Sequence, residues 1–397
     1  MDSATQDFSD ATGQRPLCQL DRAFDRLLAA VDFPSEDEAI LPHNAQKVRD
    51  AFFTFLNEME WPLASRSFEK LLQEKSHEFQ FRNDGKTPNW YHEFQEILSY
   101  LSTFRAGLVD AADLEPFGGP EAGVSIILRH DSWEDFGQDD LTICASLERH
   151  VHWLVDSGGI SGEEGSRLLG KASIIGKGVD LLTRQTPETD DDGRILRTLT
   201  GKVAKKERFG GDMNLYFNGL LKDPQAIFIK FIDAINGMAT RVGVASFSLE
   251  DNKRYTRERR GFYDRNTTDV QATRTWPFMT DALVTTNAML GMLLVIMEVV
   301  NDYDDNRRLN PSNAYPVRLD RYLPHALRGY DLIPRAFRPD LVLIDRLEKR
   351  AATESRIRDL LDCAIYPALQ PHYPPGVLNI PVTQVLPGAA VSGHHVR

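Results

Sequence analysis

Apolar residues recur at helical spacing along most of the chain. Leu20–Val31 (LDRAFDRLLAAV) and Ala45–Met59 (AQKVRDAFFTFLNEM) carry them three and four positions apart, which predicts two amphipathic helices. Pro62 marks the start of a third, running through Phe68, Leu71 and Leu72 towards Phe79. A turn-rich stretch from Arg82 to Pro88 precedes a fourth helix, from about Tyr91 to Phe104. Residues 110–123 (DAADLEPFGGPEAG) read as a loop, and the apolar run Ile126–Leu128 delivers His130 and Asp131 to the opening of the next helix. Further helices are expected near 139–156, 162–184, 213–221, 224–241, 281–301, 317–328 and 340–365. Pro187–Gly193 (PETDDDG) reads as an acidic loop, and 251–275 as a polar, arginine-rich stretch. Strand signals are sparse and no repeat is visible, so the expected class is mainly α.

Composition is that of a soluble globular protein, with 42% hydrophobic and 26% charged residues in 397. The net charge of −12 argues against a broad electrostatic grip on DNA or RNA, so no nucleic-acid partner is expected. Cys18, Cys144 and Cys363 lie far apart without a CxxC, which excludes a zinc ribbon or disulfide framework and fits a reducing, cytoplasmic setting. The opening residues, Met1 to Phe8, are polar and acidic, unlike a signal peptide. The uncharged segment Ala282–Met297 is shorter than the roughly 20 residues of a membrane span. It contains Thr285, Thr286 and Asn287, and reads as a buried core helix with no membrane partner.

The stretch richest in chemistry is His130-Asp-Ser-Trp-Glu-Asp135. On a helix, His130 would share a face with Glu134, and Asp131 with Asp135. Imidazole beside carboxylate suits a divalent metal, and carboxylates one turn on suit a water proton. A solvated helix turn fits the same residues. Three other stretches offer partners: Ser76–His92 with its continuation Glu93–Leu98, Tyr216–Met238, and more weakly the helix end Leu181–Arg184. Asp233 lies between Ile232 and Ile235, where a buried carboxylate needs a partner. The basic run at 202–208 (KVAKKER) fits a solvated face or the phosphate side of a cleft. No P-loop, GxSxG or strand-linked GxGxxG is present.

Taken together and in order, these stretches resemble the HD-domain hydrolase of the RelA/SpoT family and its small stand-alone relatives, which remove the 3′-diphosphate of (p)ppGpp in the stringent response. The family's RKDGKTPYIxHP loop corresponds to Arg82-Asn-Asp-Gly-Lys-Thr-Pro-Asn-Trp-Tyr-His92, its HDxxED to His130–Asp135, and its IKLADRLHNM to Ile229–Met238. The resemblance implies an HD-domain-like helical hydrolase using Mn²⁺ held by His92, His130, Asp131 and Asp233. It implies Glu134 and Asp135 as the catalytic acid pair, and Arg82, Lys86, Lys230 and Asn236 as contacts to a small nucleotide substrate. His77 matches a common family histidine and reads as a structural neighbour. Asn83, Glu93, Ala234 and Gly237 depart from the pattern, and Asn236 stands one place early. Metal-dependent hydrolysis therefore carries over better than the alarmone itself. A phosphatase acting on another nucleotide such as NADPH, and a non-catalytic nucleotide-sensing relative, are the alternatives. The resemblance and the helix pattern imply a tail at 1–18, a helical extension at 19–60, the HD-type domain at 61–270, a C-terminal helical region at 271–370 and an extended tail at 371–397.

Overall fold

Helices dominate the computed structural model, which describes residues 18–31, 42–75, 88–183, 185–189, 195–200, 213–241, 249–269, 271–306, 338–370 and 378. The aliphatic stripes set the first helices as their spacing requires: α1 (Gln19–Ala30), α2 (Pro42–Glu58), α3 (Pro62–Glu74) and α4 (Tyr91–Arg105). Phe52 of α2 meets Phe68 of α3 and Phe94 of α4 edge-on, at centroid distances of 4.9 and 5.4 Å. The region before residue 60 is thereby joined to the helix that carries His92. The expected helix around Phe68 stops at Glu74, and its continuation to Phe79 lies outside the described residues.

Residues 110–123 are not a loop. A short 3₁₀ helix covers Ala112–Phe117, and α5 (Gly119–Arg129) follows at once. Gly118 and Gly119 take positive φ values of 86° and 69°, which ends one helix and redirects the chain. Pro120 then sits in the first turn of α5, where its missing N–H costs nothing. The HD motif does not open one continuous helix either. His130 and Asp131 form the joint between α5 and the five-residue α6 (Ser132–Phe136).

The next helices are α7 (Asp140–Asp156) and α8 (Gly162–Leu182). Each carries an N-cap, with Asp139 accepting from the Thr142 amide (2.9 Å) and Ser161 from the Glu164 amide (3.1 Å). The acidic loop expected from Pro187 begins instead inside a strand. β1 (Gln185–Thr189) pairs antiparallel with β2 (Ile195–Thr200), from Gln185 opposite Thr200 to Thr189 opposite Ile195. Strands of five and six residues give too short an alternation to stand out from a polar stretch.

Helices α9 (Met213–Leu220) and α10 (Pro224–Arg241) match expectation, whereas 251–275 is helical rather than merely polar: α11 (Leu249–Asp269) and α12 (Gln271–Thr275). The inward face of α11 is Thr256, Arg259, Phe262 and Tyr263, so it shows no aliphatic stripe. The apolar segment forms α13 (Thr280–Asn306), buried from Ala282 to Met297 apart from a few per cent of surface, as a core helix should be. Thr286 returns its hydroxyl to the Ala282 carbonyl (2.7 Å), which satisfies it within the helix. The helix expected at 317–328 lies outside the described residues. The one expected at 340–365 is broken into α14 (Pro339–Ala351), α15 (Ser355–Leu360), a wide turn at Leu361–Ile365 and α16 (Tyr366–Leu369). Helix α10 packs against α4, α5 and α8 on one side and against α13 and α14 on the other. A single apolar cluster runs from Leu20 to Leu378.

Candidate metal centre

Three parts of the helical core bring chemistry to one place. The first turn of α4 carries His92, with Glu96 one turn further on the same face. The joint after α5 carries His130 and Asp131, and the middle of α10 carries Asp233. One ligand atom from each of His92, Glu96, His130 and Asp233 lies within 4.8 Å of the others.

The finer contacts describe donors facing a shared centre. His92 Nε2 is 2.9 Å from Glu96 Oε1, while His130 Nε2 is 3.3 Å from Asp131 Oδ1. The opposite nitrogen of His130, Nδ1, sits 2.7 Å from the Ile127 carbonyl. Donation of Nδ1–H to that carbonyl leaves the Nε2 lone pair for a ligand, as in metal-binding histidines generally. Glu96 is 0% exposed, yet neither of its oxygens makes a properly oriented hydrogen bond. A carboxylate left that way in the interior is costly unless a cation reaches it.

Charge in the site is strongly coupled. Burial pulls the His130 imidazole down, but Asp131, Glu96, Asp233 and Glu93 together push it up to about 10. Burial likewise opposes ionisation of Asp233, and Lys230, Arg259 and His130 outweigh it, holding that carboxyl well below the usual range. Asp131 is held low against burial by His130 and Lys75. Lys75 is itself buried against Glu93, within the field of Asp131 and Asp135. A cluster that gathers carboxylates around buried imidazoles is suited to a cation. Two imidazoles and two carboxylates form a donor set that fits a divalent transition ion such as Mn²⁺, Fe²⁺ or Zn²⁺, with no preference among them fixed by the residues alone.

Of the residues expected to bind metal, His92, His130 and Asp233 come together. Asp131 stands beside His130 with 37% of its side chain exposed, at the edge of the cluster. Glu96 takes the fourth position, and sequence reasoning missed it. The signal was present, because Glu96 follows His92 by four, the same spacing that relates His130 to Glu134. Asp135 lies on α6, its amide bonded to the Asp131 carbonyl at 2.8 Å, whereas the Glu134 side chain lies outside what is described. His130 follows the end of α5 and residue 134 lies within α6, so the two positions do not share one helix. Arg82, Lys86 and His77 fall outside the described residues. Lys230, expected to touch substrate, is bonded to Asp233, and Asn236 is buried one turn beyond that aspartate.

Comparison with models of protein families, with curated proteins and with solved structures gives no match.

Proposed function

We propose that this protein is a metal-dependent phosphohydrolase of the HD type, using Mn²⁺ and acting on the 3′-diphosphate of (p)ppGpp. The observation that carries the reading is the convergence of His92, Glu96, His130 and Asp233, from segments remote in sequence, within 4.8 Å. A divalent ion held by such ligands supplies Lewis acidity to a phosphoryl oxygen and makes water a nucleophile near neutral pH. The chain's own groups do the rest. His130 is fixed in its tautomer by the Ile127 carbonyl, and Asp131 faces the solvent side, where a substrate would enter. Glu134 and Asp135 are assigned to take the water proton. Water attacks the proximal phosphorus of the diphosphate and the bond to the ribose 3′-oxygen breaks. The products are pyrophosphate and a nucleoside 5′-di- or triphosphate, the 3′-oxygen leaving as a hydroxyl.

One observation favours the second reading, a phosphatase for another nucleotide such as NADPH. Two of the expected nucleotide contacts have other surroundings, since Lys230 pairs with Asp233 and Asn236 is buried. The test is hydrolysis of (p)ppGpp, NADPH and other nucleotides by the purified protein with and without Mn²⁺, alongside His130→Ala. Metal-dependent release of pyrophosphate from (p)ppGpp, lost in His130→Ala, supports the first reading. Turnover of NADPH alone supports the second, and full activity of His130→Ala overturns both.

A further inference from the structure

Helix α11 carries four arginines whose side chains are described, and one behaves unlike the other three. Arg254 pairs with Asp251 (2.9 Å), Arg257 lies 3.5 Å from Glu250, and Arg260 pairs with Glu298 (2.7 Å). These are ordinary surface or half-buried pairs. Arg259 turns inward instead, 7% exposed, with its guanidinium 4.7 Å from the centre of the Tyr255 ring. Its terminal nitrogen stops 3.9 Å from Asp233 Oδ2, too far for a hydrogen bond, and that oxygen accepts from Lys230. The Nε of Arg259 has no hydrogen-bond partner among the described residues.

The guanidinium is hydrogen-bonded to Tyr255 and not to the carboxylate 3.9 Å away, so an ion pair with Asp233 does not by itself account for its place. Asp233 is flanked on this side by two cations, Lys230 and Arg259, while the Glu96 and Asp131 carboxylates approach it from the other helices. Gly237 shows that the placement is built into the fold. A Cβ at Gly237 would overlap the Tyr255 hydroxyl, so the glycine lets Tyr255 approach α10 and seat the arginine on its ring.

We propose that Arg259 binds a phosphate group of the substrate beside the metal, its planar fork gripping two oxygens of one phosphoryl group. This rests on the phosphohydrolase reading above and assigns that reaction a substrate-binding residue on α11.

Binding of inorganic pyrophosphate to the Mn²⁺-loaded full chain tests it, with metal content measured on the same samples. Arg259→Met is expected to keep its metal and weaken pyrophosphate binding by about tenfold or more, the scale of a charged, two-point hydrogen bond. Arg259→Lys, which keeps the charge and most of the packing, is expected to fold as the wild type does and recover part of that affinity. Should Arg259→Met and Arg259→Lys bind pyrophosphate as tightly as the wild type, the inference is overturned. It is equally overturned if both variants lose the metal, because Arg259 would then serve to hold Asp233. A wild-type protein that takes up no metal fails at the earlier step and removes the phosphohydrolase reading together with this one.

Discussion

Two carboxylates, Glu96 and Glu121, are buried almost completely and are treated by the fold in opposite ways. Glu121, in the first turn of α5, accepts from the Leu63 amide at 3.0 Å and from Lys171 at 3.1 Å, so each oxygen has a partner. It ties α3, α5 and α8 together. Glu96 has two imidazoles at its edges and the Asp233 carboxylate within 4.8 Å, with no well-formed hydrogen bond to either oxygen. Burial alone therefore says little about purpose. The partners separate the two: Glu121 is fully hydrogen-bonded, whereas Glu96 belongs to a cluster that could hold a metal ion.

The largest effect should come from Glu121→Ala. It strands Lys171 in the interior, and a loss of about 3–5 kcal/mol in unfolding free energy is expected by chemical denaturation. The same variant should bind metal as the wild type does whenever it is folded, and a loss of metal affinity there would erase the contrast. Next comes Glu96→Gln. Glu96 has no hydrogen-bonded partner to strand, so the metal-free protein should lose much less stability than Glu121→Ala does. Its Mn²⁺ affinity should fall by about tenfold or more, since even groups one shell from a metal reach that range. The rise in thermal midpoint on adding Mn²⁺ should shrink with it, because binding to the folded state alone stabilises by mass action.

The smallest effect concerns pH. Burial raises the Glu121 carboxyl above its ordinary 4.5, against the pull of Lys171 and the Leu63 amide. The folded state thus holds the proton more tightly than the unfolded state. The stability this contributes is complete below the unfolded value and disappears as pH rises through the folded one. Denaturation midpoints of wild type and Glu121→Gln, followed upward from about pH 4, should diverge in that direction, the wild type losing more.

What could be read from the sequence follows from which residues carry a pattern. Helices with aliphatic stripes, such as α2 and α4, were legible because Phe52, Phe55, Ile97 and Leu101 repeat at helical intervals. Helix α11 was not, because its inward face is Thr256, Arg259, Phe262 and Tyr263, two of them polar. Arg259 was hidden for the same reason, appearing only as one of several arginines in a polar stretch. His92, His130 and Asp233 were legible through motif order. Glu96 did not stand out because, in YHEFQEIL at 91–98, it reads as one more polar position of an amphipathic helix. The break at residues 130–131 was invisible, since no glycine or proline stands between Val124 and Phe136 to mark it.

The claim that four side chains share one cation is tested most directly by Mn²⁺ binding at equilibrium, with stoichiometry read from the isotherm. The expected result is one ion per chain, lost in His130→Ala, weakened in Glu96→Gln and unchanged in folded Glu121→Gln. An isotherm showing no bound ion, or one indifferent to His130→Ala, would contradict it.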